Sequence, residues 1–213
     1  MHKYCFVLGT NPTLSVWEIT SILNQRKIDF ELAGLYRGFL FIDTKVRIRS
    51  NFLERLGGTI KIIEIVGDLD KKNLNEPVLL ERLAHRQKII FGFSVYDFDS
   101  TVSRTQLRQL SKRITGFGLE LKKILRADGH SVRFITSKEP ALSSIIVDAN
   151  HLLDESGEWV FLCGRGLADG SGGAGGFLGR TIAVQKASWY SWRDYGRPAR
   201  DARAGMLPPK LAK

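Results

Sequence analysis

The most restrictive feature of this sequence is the order of apolar patterns in its first 66 residues. Tyr4-Cys5-Phe6-Val7-Leu8 is a short continuous run of the kind a buried strand shows, and Gly9-Thr10-Asn11-Pro12 ends it in a turn. Leu14, Trp17, Ile22 and Leu23, with Val16 and Ile19, then give a broad apolar face at helical spacing. Thr13 or Ser15 is placed to cap that helix, and Glu18 follows Ser15 by three residues as in a capping box. Two apolar runs, 32–36 and 39–42, flank Arg37-Gly38 and predict a hairpin. A second short helix over 51–56 stops at Gly57-Gly58, and 60–66 is a last strand. The order β-α-β-β-α-β is the ferredoxin-like plan, with both helices on one face of a sheet. It assigns residues 1–68 to an N-terminal α/β (α+β) domain.

The polar stretch 68–75 has no periodicity and reads as a domain junction. A second α/β domain is expected over 74–186, opening with a helix from Pro77 to about Gln87 and a strand over 89–96. A basic helical region, 103–127, carries Leu107, Leu110 and Ile114 on one side and Arg104, Arg108 and Lys112 at i, i+4 and i+8 on another. Gly116-Phe117-Gly118 is expected to interrupt it. Strands are predicted over 131–136, 159–163 and 181–184.

Charge narrows the choice of partner. The 213 residues carry a net charge of +10, which points to an anionic ligand. Seven basic and two acidic residues lie after Gln185, so half of the excess sits in 186–213, most of it in a basic linker, 187–213. No run approaches the roughly 18 apolar residues of a membrane span, and the N-terminus has no signal-peptide pattern, so a cytoplasmic chain with no membrane partner is expected. Cys5 and Cys163 are far apart and form no C-x-x-C pair, and His2, His85, His130 and His151 share no ligand spacing. No metal site, no catalytic residue and no cofactor site is therefore assigned to this chain.

The glycine-rich stretch 164–176 follows a strand but leads into another strand, whereas a phosphate cradle needs its glycines to open a helix. It reads as a hairpin loop. Two other segments carry binding chemistry. Arg133 on a strand, with Ser137 and Lys138 in the loop after it, is an arrangement that can grip phosphate, and a solvated strand end explains the same composition. In the tail, Trp189, Tyr190, Trp192 and Tyr195 alternate with Arg193, Arg197, Arg200 and Arg203, which offers base stacking together with phosphate pairing. A basic linker whose aromatics pack on the domain it leaves has the same composition, and composition does not separate the two.

Three stretches carry a resemblance to a known family. They are Val7-Leu8-Gly9-Thr10-Asn11-Pro12-Thr13-Leu14-Ser15, Arg133-Phe134-Ile135-Thr136-Ser137-Lys138-Glu139-Pro140, and Asp194-Tyr195-Gly196-Arg197-Pro198-Ala199-Arg200-Asp201-Ala202-Arg203 with the Leu207-Pro208-Pro209-Lys210 that follows. Together they resemble the N-terminal half of THUMP-domain RNA methyltransferases, in particular the tRNA (guanine-10-N2) methyltransferases. The resemblance spans essentially the whole chain and implies a ferredoxin-like domain, a THUMP domain that binds tRNA near its acceptor end, and a linker to a methyltransferase domain. That family's S-adenosylmethionine loop and its Asn/Asp-Pro-Pro-aromatic motif have no match here. The resemblance thus implies a tRNA-binding module, with S-adenosylmethionine expected only for a full-length parent and the catalytic domain in cis or in trans. The alternative is a stand-alone RNA-binding or interaction protein that works with a separate subunit. The residues expected to meet RNA are Arg104, Arg108, Lys112, Arg133, Ser137, Lys138, Arg193, Arg197, Arg200 and Arg203.

Overall fold

A computed structural model describes residues 1–69, 74–154, 156–164, 176–186 and 188–189. The described residues divide into two compact α/β units, one of Met1–Ile62 with those from Ile182 onward, the other within Ile63–Thr181.

The first unit runs β1 (His2–Leu8), α1 (Pro12–Gln25), β2 (Phe30–Tyr36), β3 (Phe39–Thr44), a 3-10 helix (Ser50–Arg55) and the start of β4 (Thr59–Asp68). Its strands lie in the order β2-β3-β1-β4, with β3 antiparallel to both β1 and β2. Strand alternation sends Tyr4, Phe6 and Leu8 of β1, Leu40 and Ile42 of β3, and Ile62 of β4 into one core. Ile19 and Leu23 of α1 and Phe52 and Leu53 of the 3-10 helix close that core, so both helices do pack on one face of the sheet. The second short helix of the βαββαβ pattern is thus present in the tighter 3-10 form.

Two details of α1 differ from the sequence reading. The buried stripe is Ser15, Ile19 and Leu23 at i, i+4 and i+8, with Leu14 37% exposed and Trp17 68% exposed. Two residues along a helix turn the side chain by about 200°, so Trp17 faces away from the stripe that Ser15 begins. The N-cap is Asn11, whose Oδ1 accepts from the Leu14 N–H at 3.2 Å. Ser15 instead donates to the Asn11 and Gly58 carbonyls at 2.9 and 3.0 Å. Glu18 accepts from the Gly57 and Gly58 amides at 2.6 and 3.0 Å, which satisfies two donors of the turn that follows the 3-10 helix.

The second unit contains α2 (Glu76–Leu83), β5 (Lys88–Asp97), α3 (Arg104–Ala127), β6 (Ser131–Ile135), α4 (Ser144–Ala149), β7 (Glu158–Cys163) and most of β8 (Gly176–Val184). The strand order is β8-β7-β5-β6, with β5 parallel to β6 and β7, and β7 antiparallel to β8. Parallel pairing of β5 with β6 requires a crossover, and α3 supplies it. Phe91, Phe93, Phe117, Val132 and Phe161 form the centre of the core, with Leu121 and Leu125 of α3 buried beside them. Ring centroids of Phe93 lie 5.2–6.0 Å from those of Phe91, Phe117, Phe134 and Phe161.

Gly116-Phe117-Gly118 does not interrupt α3, which is continuous over 24 residues. A Cβ on Gly118 would stand 2.3 Å from the Phe134 ring, so the glycine lets the helix lie close on β6. Ser103 and Gln106 form the capping box that starts this helix. β8 begins at Gly176, five residues before the predicted start, and Cys163 pairs with Gly176 across the antiparallel β7–β8 pair. The glycine-rich run therefore joins two antiparallel strands, its residues 165–175 lying outside the described residues. No helix among the described residues is long and apolar enough to cross a membrane.

Candidate nucleic-acid interface

α3 is amphipathic along its whole length. Ile114, Phe117, Leu121 and Leu125 are buried, while Arg104, Arg108 and Lys112 are exposed on the other side, as their four-residue spacing requires. After β6 the chain makes a short loop, and Pro140 brings it back to β5 by accepting from the Val95 amide at 3.0 Å.

Beneath that loop the second unit holds a polar anchor. The Leu142 amide donates to Ser94 Oγ at 2.8 Å, and Ser94 in turn donates to the carboxyl of Glu158. Thr181 donates to the other oxygen of the same carboxyl at 2.5 Å. Ser94, Glu158 and Thr181 are all fully buried, so these bonds act where water does not compete. They tie the loop that precedes α4 to β5, β7 and β8.

Between α3 and this loop lies a cleft of about 500 Å³. Arg108 and Lys112 face it from the helix and Lys138 from the loop, with the hydroxyls of Ser111, Thr115 and Ser137 among them. Glu139 is the one carboxyl in its lining. Arg108, Lys112 and Lys138 have no ion-pair or hydrogen-bond partner among the described residues. Three cations with no ion pair among the described residues, with the hydroxyls of Ser111 and Ser137 between them, offer charge and donors to phosphate oxygens, while Thr115 donates to the Ser111 carbonyl at 2.9 Å. Two basic segments some 25 residues apart in sequence thus meet in one place.

The other expected residues are placed differently. Arg104 is exposed one turn ahead of Arg108 and does not line the cleft. Arg133 stands on β6 between Val132 and Phe134, both turned to the core on the α3 side, so strand alternation points it to the opposite face. Arg193, Arg197, Arg200 and Arg203, and most of the aromatic residues that alternate with them, lie outside the described residues. Ser111 and Thr115 were missed by sequence reasoning. Their signal was present, because 108, 111, 112 and 115 share one helix face at i, i+3, i+4 and i+7.

The remaining groups with chemical potential are in structural roles. His130 Nδ1 lies 2.9 Å from the Arg86 carbonyl, and among the described residues no cluster of His, Cys, Asp or Glu is arranged to hold a metal ion. Both cysteines are buried and unbridged. Burial pushes the Cys5 thiol well above its ordinary pKa, and burial, followed by the nearby carboxyls of Asp97 and Asp99, pushes Cys163 up to about 12. Neither thiol is therefore expected to react with a disulfide reagent at neutral pH until the chain unfolds, when both should titrate. A thiol that reacts at once in the native protein would show that its strand opens readily.

No family model matches this chain, and no curated protein matches it either. Among solved structures it is similar to PH1313 from Pyrococcus horikoshii Ot3, with 8% identity over 85% of this chain and a TM-score of 0.47. It is also similar to a 4-thiouridine synthetase solved as an RNA complex with bound ATP, with 10% identity over 85% of this chain and a TM-score of 0.40. The chain spans 54% and 41% of those two structures.

Proposed function

We propose that this chain is the RNA-binding part of a tRNA methyltransferase of the THUMP type, and that the α3 cleft holds a stretch of tRNA backbone. The observation that carries the RNA reading is the convergence of Arg108, Lys112 and Lys138 with the hydroxyls of Ser111 and Ser137 on one cleft. The net charge of +10 agrees with it, since such a chain gains affinity for RNA by releasing condensed counterions. Backbone contacts of this kind hold and orient a structured RNA without reading its bases.

The methyltransferase half of the proposal rests on the three sequence stretches that resemble that family. No S-adenosylmethionine site is assigned among the described residues. The glycine-rich run stands in sequence between β7 and β8, two antiparallel strands, and not between a strand and a helix. The cofactor belongs on a separate catalytic domain, in cis or in trans, to which this part presents the RNA.

The test of the cleft is a tRNA titration at several salt concentrations. Replacing Arg108, Lys112 and Lys138 together with alanine should weaken binding by about tenfold or more and reduce the salt slope by about 3, one unit for each cation removed from a phosphate. Replacing Lys122 and Lys123, further along the same helix, should do much less. Equal losses in the two variants would leave only general electrostatic attraction and sink the localised site. The methyltransferase half is tested by joining or adding a catalytic domain and assaying methyl transfer to guanine in tRNA, where no gain over that domain alone would refute it.

A further inference from the structure

The first unit carries a second groove that the cleft on α3 does not explain. Leu14, Trp17 and Ile22 of α1 and Arg55 at the end of the 3-10 helix enclose about 290 Å³. Its floor is rigid. Glu18 holds the Gly57 and Gly58 amides, and Ser15 donates to the Gly58 carbonyl, so α1 and the 57–58 turn are locked together. The approach is so close that a Cβ on Gly58 would stand 2.3 Å from Ser15 Oγ. A groove fixed in this way needs little reorganisation to receive a ligand.

What lines it is unusual for a surface. Trp17 is 68% exposed and makes no ring contact with the described residues. Arg55 is exposed and has no ion-pair partner among them. Thr10 and Ser21 add hydroxyls at the rim. Glu18, the carboxyl in the lining, has both oxygens held by the Gly57 and Gly58 amides, so a large apolar ring left in solvent beside a cation with no ion pair among the described residues is the combination that binds a flat aromatic group carrying negative charge.

We propose that this groove takes one unstacked nucleobase of single-stranded RNA, its face on the Trp17 indole and its phosphate on Arg55. The proposal rests on the RNA-binding reading above. A base has a π-face whatever its identity, so stacking supplies affinity without strict sequence preference, while the hydroxyls meet its polar edge. The net charge of +10 favours an anionic partner and disfavours a cationic one at the same place.

The experiment is a titration of the full chain with hexaadenylate at fixed salt, read by tryptophan fluorescence and by anisotropy of a labelled strand. Trp17→Ala should weaken binding by about tenfold, the scale of one base–aromatic stack, and Trp17→Phe should keep part of the affinity. Repeated at several salt concentrations, Arg55→Ala should lower the salt slope by about one. An abasic strand of equal length should bind wild type and Trp17→Ala alike. Since both side chains are exposed, unfolding midpoints should not move. Unchanged hexaadenylate affinity in Trp17→Ala overturns the proposal, and reduced self-association of that variant would assign the groove to a second copy of the chain instead. Loss of tRNA binding in the α3 variant together with unchanged hexaadenylate binding in Trp17→Ala sinks this groove and leaves the cleft standing. The reverse pattern sinks the cleft and leaves the groove.

Discussion

Replacing Phe91 with alanine is expected to destabilise the second unit by about 3–5 kcal/mol, the range found when a large aromatic is removed from a close-packed core. Phe91 is fully buried at the centre of β5 and stacks on Phe134 at a centroid distance of 4.8 Å, with Phe93 at 5.3 Å. Its neighbours stand on β5 and β6, which are rigidly paired, so the space cannot close by a small shift. Phe91→Leu, which fills most of the volume, should cost less than half as much. Guanidinium denaturation is the measurement, and the midpoint should fall with little change in slope. A loss under about 1 kcal/mol for the alanine variant would mean that the aromatic cluster is not the cohesive centre of this unit.

The second large effect is expected at Glu158, which touches neither the cleft nor the solvent. Glu158→Ala removes the acceptor from two buried hydroxyls, Ser94 and Thr181, and each donor left unpaired costs about 1–3 kcal/mol. A total of about 2–6 kcal/mol follows, with the further consequence that Ser94 is free to rotate away from the Leu142 amide. The loop that carries Ser137 and Lys138 then loses its anchor. RNA affinity should fall in this variant although no group that meets RNA has changed. Glu158→Gln keeps one acceptor oxygen and should recover much of both properties. Amide hydrogen exchange supplies the check: faster exchange at Leu142 in Glu158→Ala, with Ser131 in β6, whose amide donates to the Gln87 carbonyl, no faster than in wild type, is the expected result. Uniform loss of protection would point to global destabilisation instead of a loosened loop.

The two α/β patterns were legible in the sequence because they depend on local spacing. Alternation or continuous apolar runs identify strands, and stripes at three and four residues identify helices, wherever the chain later packs. The cations of the cleft were legible for the same reason, since Arg108 and Lys112 share a helix face by spacing alone and Lys138 sits in a hydroxyl-bearing loop. Spacing does not say which of several apolar residues a helix will bury. Leu14 and Trp17 read as part of the core face of α1, and only the position of the sheet turned Ser15, Ile19 and Leu23 inward instead. Gly116-Phe117-Gly118 likewise reads as a break until β6 is beside it, because a glycine tolerated for close approach and a glycine that ends a helix are the same residue in sequence. Distances across the fold were decided by tertiary structure alone. The carboxyl of Glu158 meets Ser94, 64 residues away, and Thr181, 23 residues away, and so fixes a loop that no local rule connects to it. Arg133 and Lys138, close together in sequence, are separated because a strand sends alternate side chains to opposite faces, whereas Lys112 and Lys138 converge because α3 crosses back over the sheet.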